Sequence, residues 1–542
     1  MKRKNIITFI LAFIITCFMA IGTSFFTTKS FKLFVNHPII LTFLFILFLM
    51  LSWGIIKMFF ERLDEKKENM EIKKIKFNLY FDNHPFLFSI MFMILCWLIY
   101  IIAFYPAILS PDPSFQILQY FGIDNKYSYY SILIDKNVIL TNHHPVIHTI
   151  ILGSCVKIGL KLFSSTNIGL FIYSTIQTII LSFTLSYTIK FMKDINTNLK
   201  FRKICLFIYA FSPVFPLYAM SPVKDVIFGC LIIIYIITIY KFVNIKNDIS
   251  YKDILKEIIL LILITLFRNN GFHIILLSFP FLFLLGRKNI FKYLIIFLSV
   301  ISFYFSYNKI ILPYFKITQS SVREMLSIPF QQTARYVKEH KKEVTKEEKK
   351  VIDKILNYDT IAQRYNPKLA DPVKNKFNRY YTNQDLKDYF KVWLNQFKKH
   401  PITYLEATIE NTYGYFYPIE TKWYVHTRSK RRINNYGFDY HFNKLNSLRI
   451  FLRKLSIVFQ YLPFIGLIVN IGFNTWIILF MFFYLFYKKE YKNIIYLVPS
   501  FIILLMCFLS PANTYFRYAL PNMFAMPVII SIFNKIKDKH LS

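Results

Sequence analysis

Six stretches of this sequence, 38–56, 86–111, 162–189, 204–223, 455–487 and 493–516, contain no aspartate, glutamate, lysine or arginine. About 20 apolar residues in a helix span the hydrocarbon core of a bilayer, and each run approaches or exceeds that length. Backbone groups inside lipid must be satisfied within the spanning element, and runs this long do not suit barrel strands. The sequence therefore predicts an all-α polytopic membrane protein. Composition agrees, with 55% hydrophobic residues and a mean hydropathy of +0.40 over 542 residues.

Charge sets the orientation. The 66 lysines and arginines outnumber the 30 acidic residues, giving a net +36. Between apolar spans, such an excess marks cytoplasmic loops and affinity for anionic lipid, so the expected partner is the bilayer and not nucleic acid. The basic islands lie at 2–4, 57–76, 190–203, 241–256, 287–292, 488–492 and 535–539. Placing them inside predicts spans at about 6–26, 38–60, 86–106, 168–189, 204–220, 223–242, 255–268, 272–286, 290–312, 460–486, 494–510 and 522–535. The first span follows Met1-Lys2-Arg3-Lys4 without a cleavage pattern near Gly22 to Ser24, and reads as an uncleaved anchor.

The segment at 145–163 is set aside. If it crossed as well as 168–189, the island at 190–203 would face outward. With His148, Lys157 and Lys161 it is expected to lie on the outer surface as an amphipathic helix. The expectation is a multi-pass cell-membrane protein of about 12 crossings with both termini cytoplasmic. It has an N-terminal transmembrane domain at 1–312 with an outer loop at 107–167, a mainly helical extracytoplasmic domain at 313–454, and C-terminal transmembrane helices at 455–542. The six cysteines sit in or beside apolar runs without a CxxC or metal spacing, and read as small membrane hydrophobes.

On this map several polar residues from distant parts of the chain meet at the outer surface. Asp112 stands between Pro111 and Pro113 just past the third span, either as a helix-capping carboxylate or as a catalytic group. Asn142-His143-His144-Pro145 closes the same loop, and His148 follows His144 by one helical turn. These histidines suit hydrogen bonding at an interface or, with Asp112 and Asp225, a divalent cation. Lys224-Asp225, Arg268-Asn269 and Arg517-Tyr518 occupy turns between spans, where each is an interfacial anchor or a functional charge. Gathered into one cavity, carboxylates and cations together suit a substrate with a phosphate and a hydroxyl to be activated.

Ser110-Pro111-Asp112 past a span, followed by Asn142-His143-His144-Pro145 before a surface helix, resembles the glycosyltransferase C superfamily over about 86–240. In those polytopic enzymes, which use polyprenyl-phosphate sugars, the first outer loop opens with a catalytic acid. It then enters a surface helix through a His-Pro-Pro or Lys-Pro-Pro type segment. Phe211-Ser212-Pro213 and Lys224-Asp225 resemble a later Ser-Pro and acidic pattern of the same enzymes. The paired Asp-Glu of protein mannosyltransferases is absent, since Pro113 follows Asp112. The stretch from Tyr105 through Thr149 also resembles an uncharacterised bacterial family of membrane proteins.

The resemblance implies transfer of a sugar from a polyprenyl-phosphate donor to an envelope polymer or glycolipid acceptor on the outer face. Asp112 is then expected as general base, and Arg517 with Lys224 or Arg268 as stabiliser of the departing lipid phosphate. His143, His144 and Asp225 would position the donor or hold the cation, and Gln116, His148, Asn269 and Tyr518 would complete the binding surface. A lipid-linked glycan flippase, or a polymerase or ligase of envelope glycans, is the alternative. A transporter would carry its charges at mid-depth along a path, whereas these cluster at the span ends.

Overall fold

The computed structural model describes residues 2–65, 76–125, 127–128, 139–244, 249–285, 289–419, 424–429 and 431–538. Parts of the islands at 57–76, 241–256, 287–292 and 535–539, and of the loop at 107–167, lie outside the described residues. Among the described residues the chain is all-helical, with no strand. The principal helices are α1 (Lys2–Thr28), α2 (Pro38–Asp64), α3 (Pro85–Ala103), α4 (Pro111–Tyr120), α5 (Val146–Phe163), α6 (Thr166–Asp194), α7 (Leu199–Phe211) and α8 (Lys224–Asn244). They continue with α9 (Tyr251–Phe267), α10 (Gly271–Leu285), α11 (Ile290–Ser306), α12 (Ser327–Glu339), α13 (Lys346–Ile355), α14 (Asn383–Lys399) and α15 (Pro401–Glu410). The last four are α16 (Asn446–Tyr461), α17 (Ile471–Tyr487), α18 (Val498–Phe508) and α19 (Phe516–Asp538).

Nine helices among the described residues are long and apolar enough to cross a membrane: α1, α2, α3, α5, α6, α8, α19, and the segments Ile290–Tyr314 and Tyr491–Phe508. The α10 and α17 helices are apolar but shorter. The difference from about 12 has local causes. The apolar run at 204–220 is cut where α7 ends at Ser212-Pro213, because proline removes a helical donor and clashes with the preceding turn. The run at 460–486 becomes helical as α17 only from Ile471, after a short turn at Gly466–Val469. The α9 helix carries Lys252, Asp253, Lys256 and Glu257 within its 17 residues.

The segment expected on the surface is α5, which satisfies the same length and hydropathy criteria as the spans. It pairs as a hairpin with α6 through left-handed Ser164 and the α6 cap, where Ser165 Oγ accepts from Ile168 N at 3.3 Å. The hairpin closes on two glycines. A Cβ on Gly159 would stand 2.2 Å from the Gly169 nitrogen, and one on Gly169 would stand 2.6 Å from Val156 Cα. Apolar helices in lipid gain no hydrophobic drive from meeting each other, so such backbone-to-backbone packing holds them together.

The α19 and α8 helices lie innermost and pack against each other, whereas α2 is the least buried of the nine. Ile39, Phe43 and Leu51 of α2 stand more than half exposed. A helix apolar on every face with so little cover suits lipid and not water.

Residues 322–410 form a separate helical layer around Phe330, Val337, Ile352 and Tyr389. Capping boxes open α13 at Thr345 with Glu348 and α14 at Thr382 with Asp385. The Thr345 cap splits the charged run 338–354 into two helices. Later segments of this region sit on the same end of the bundle as the C-terminus of α3. Tyr440 donates to the Ala107 carbonyl at 2.8 Å, and Arg449 Nη1 donates to the Ala103 carbonyl at 3.0 Å.

Candidate functional site

Helix termini place the charges. Ser110 precedes α4 in extended conformation, Pro111 occupies the first turn, and Asp112 stands beside it near the helix N-terminus. Asp225 is likewise in the first turn of α8, Arg268 is the residue after α9, and Arg517 is the second residue of α19. Acids at N-termini and a cation at a C-terminus follow the helix dipoles. The directions of these helices bring all four to one end of the bundle.

They form a chain of alternating charge. Arg517 Nη2 donates to Asp112 Oδ2 at 2.7 Å, and its Nε lies 2.9 Å from Asp225 Oδ2. Arg268 Nη1 lies 3.3 Å from Asp225 Oδ1 and stacks over Phe228 and Tyr518. Asp225 is wholly buried, yet neither of its oxygens accepts a well-directed hydrogen bond; the contacts are ion pairs. The Asp112 carboxylate keeps 27% of its surface accessible. The N-cap position of α4 is Ser110, so Asp112 lies within the first turn, where its carboxylate meets Arg517 on one side and solvent on the other.

Lys224 Nζ donates to His144 Nδ1 at 3.1 Å. The other nitrogen of that ring, Nε2, is buried without a hydrogen-bond partner among the described residues and faces Asp112 Oδ1 across 3.9 Å. Tyr127 packs on both histidines, stacking on His143 at 4.1 Å between centroids, and donates weakly to Asp112 Oδ1 at 3.4 Å. His143 looks the other way, with Nδ1 3.3 Å from Ser320 Oγ and 3.9 Å from Glu324 Oε1. Among the described residues, three cations, Lys224, Arg268 and Arg517, thus gather with two carboxylates, Asp112 and Asp225, an excess of one positive charge. An unmatched buried cation is costly and suits an anionic ligand.

Burial acts to raise the Asp112 pKa, but Arg517, His144 and Lys224 outweigh it and hold the carboxyl well below the usual range. Burial pushes the His143 imidazole down to about 4 against the pull of Glu324, and it pushes His144 well below 6.5 with help from Lys224. Lys374 holds Glu324 down at about 2 against burial. Both histidines are therefore neutral at pH 7. Unfolding lets such an imidazole take up a proton that the fold refuses, so this stability is full above about pH 6.5 and lost as pH falls toward 4. For His143 the loss should reach about 3 kcal/mol, the linkage value for a pKa lowered from 6.5 to about 4. Thermal unfolding of wild type and His143→Asn between pH 7.5 and 4 checks this. A wild-type profile no steeper than that of the variant would contradict it.

Two of the expected site residues serve elsewhere. Gln116 and His148 face into the packing between α4, α5 and α6. His148 Nδ1 meets Gln116 Oε1 at 3.1 Å, and its Nε2 meets Tyr173 OH at 2.7 Å. Gln116 also donates to Thr149 Oγ1 at 2.9 Å. This buried network braces the α5–α6 hairpin beneath the site. Asn269 Nδ2 donates to the Asn142 carbonyl at 2.6 Å and ties the Arg268 turn to the histidine loop. The four expected metal ligands are not gathered as a donor set, because Asp225 faces guanidinium groups and His144 Nδ1 faces an ammonium. Tyr127, Ser320, Glu324 and His426, whose Nε2 lies 3.5 Å from Tyr515 OH, join the surroundings without any local sequence signal.

Residues 129–542 match a family described as a family of unknown function, DUF6020. The chain belongs to the DUF6020 family. The matched region contains His143, His144, Lys224, Asp225, Arg268 and Arg517, while Asp112 and Gln116 precede it. No curated protein and no solved structure matches the chain.

Proposed function

We propose that this DUF6020 member is a multi-pass membrane glycosyltransferase. It moves a sugar from a polyprenyl-phosphate donor to an envelope polymer or glycolipid acceptor at the outer face of the cell membrane. The observation that carries this reading is the buried cluster at one bundle end, where an unmatched positive charge adjoins a partly open carboxylate. The lipid phosphate would take the cations and the acceptor hydroxyl would take the carboxylate. An apolar cavity of about 290 Å³ between α7, α17 and α19 supports it. Phe516 lines that cavity, one residue from Arg517, and Phe215, Met523, Phe524 and Ile530 continue it along the bundle. An isoprenoid chain laid there would bring its phosphate to the cations.

The reaction then follows from the groups present. The acceptor hydroxyl would approach Asp112 Oδ1 from its accessible side, with His144 Nε2, 3.9 Å from that oxygen, within reach as a second partner. Asp112 accepts its proton as the oxygen forms a bond to the sugar's anomeric carbon. The bond from that carbon to the phosphate oxygen breaks, and Arg517, Lys224 and Arg268 stabilise the departing phosphate. Arg517 holds Asp112 a weak base while no donor is bound. A donor phosphate that draws Nη2 away would raise the carboxylate's basicity, so donor binding prepares the base.

On this reading the cluster lies on the outer side, both termini are cytoplasmic and the 313–454 region helps to select the acceptor. Charges gathered at one end of the bundle favour transfer over a through-going transport path. The test compares envelope polymers and glycolipids of wild-type and deletion strains by mass spectrometry. A sugar substituent lost on deletion and restored by the wild-type gene is expected. Envelopes that remain identical while the protein is expressed would overturn the proposal.

A further inference from the structure

The helical layer at 322–410 carries a second cluster, remote in function from the Asp112–Arg517 chain and independent of the transfer reading. His340 ends α12, and Glu343 closes the single turn Lys341–Glu343 that follows. His400 stands between α14 and α15 as the last residue of one corner and the first of the next. The two imidazoles stack face to face, 3.7 Å between centroids and 18° between planes. One carboxylate spans both: Glu343 Oε1 lies 3.2 Å from His340 Nδ1, and Oε2 lies 2.7 Å from His400 Nε2. One donor atom from each residue lies within 4.8 Å of the others.

Two imidazoles and one carboxylate are the donor set of a borderline transition ion, not of calcium or magnesium. A tetrahedral ion with ligands at about 2.0–2.1 Å needs donor atoms about 3.3 Å apart. The separations of 2.7 and 3.2 Å are close to this, and the two rings, now stacked nearly parallel, would turn about their Cβ–Cγ bonds so that both nitrogens converge on one ion. The His340 ring presents one nitrogen to the carboxylate. Its far nitrogen, Nε2, lies 3.0 Å from Thr403 Oγ1, an outer contact that leaves Nδ1 to face the carboxylate. Glu343 is about half exposed and His400 is 30% exposed, so an ion has a path in and solvent can supply a fourth ligand.

We propose that His340, Glu343 and His400 form a zinc-class metal site that clasps the end of α12 to the α14–α15 corner, with Thr403 as a positioning residue. The ion would replace the two ring protons that now bridge to Glu343, and it would fix the three chain segments that this carboxylate spans.

The test uses the full chain in detergent, stripped with a chelator and titrated with Zn2+ against a chromophoric competitor. A Co2+ spectrum reports coordination at the same site. Wild type should bind one equivalent tightly that His400→Ala and Glu343→Gln each lose, with affinity at least about 100-fold weaker, and Thr403→Val should weaken it about 10–100-fold. The 11 histidines and six cysteines could give background binding, so the comparison between wild type and variant decides. Glu343 lies at the surface, so its glutamine variant should keep the metal-free melting temperature and tests the site without altering either ring. Equal zinc affinity in wild type and both ligand variants, or no stoichiometric zinc in wild type, overturns the proposal.

Discussion

Arg517→Gln is expected to destabilise the protein by about 3–5 kcal/mol, the cost of removing one partner from a buried ion pair. Its guanidinium meets Asp112 and Asp225 at once, 2.7 and 2.9 Å away, and Asp225 has no exposed surface. Arg268, at 3.3 Å, would be left as the remaining close cation for Asp225. Arg517→Lys should recover only part of the loss, because a single ammonium cannot reproduce a planar fork that reaches two carboxylates from Nε and Nη2. Adding Asp225→Asn to Arg517→Gln should restore some stability, since the buried negative charge goes with its partner. Thermal unfolding of the purified variants measures all three. A loss below about 1 kcal/mol for Arg517→Gln would place the contact among exposed pairs of little energetic weight.

Asp112→Asn is expected to lower the turnover of the proposed transfer by about 10²–10⁴, the range supplied by a positioned general base. Asparagine preserves the size of the group and still accepts from Arg517, so the fold should change little. Removing the carboxylate also adds to the unmatched positive charge, so binding of a polyprenyl phosphate should hold or tighten. The signature is therefore a split, with kcat collapsing while the Kd for the lipid phosphate does not rise. Rates within about threefold of wild type, or a loss explained wholly by weaker lipid binding, would remove Asp112 from the role of base.

Much of this was legible in the residue order, for a physical reason. Lipid demands long uncharged helices, and that demand is written in composition, so the helical class and most long spans follow directly. Helix count was less legible, because continuity depends on breakers such as Pro213 and on where a run like 455–487 is interrupted, here between α16 and α17, which hydropathy averages away. Asp112, Lys224, Asp225, Arg268 and Arg517 stood out as charges at span ends, and the fold brings them together. Gln116 and His148 looked alike in sequence, yet the approach of α4, α5 and α6 turns them into an internal brace. Tyr127, Ser320, Glu324 and His426 reach the site through long-range packing of the 313–454 region and a loop, and no local spacing announces that.

The chain order of the charge ladder has a consequence for biogenesis. Asp112, Asp225 and Arg268 all precede Arg517, which opens α19 after every other element of the cluster. During insertion Asp225 must therefore wait with Arg268 and Lys224 for company while some 250 further residues are made. Until then the bundle also lacks its innermost helix. Completion of the charge ladder is therefore among the last packing events that the order of synthesis allows.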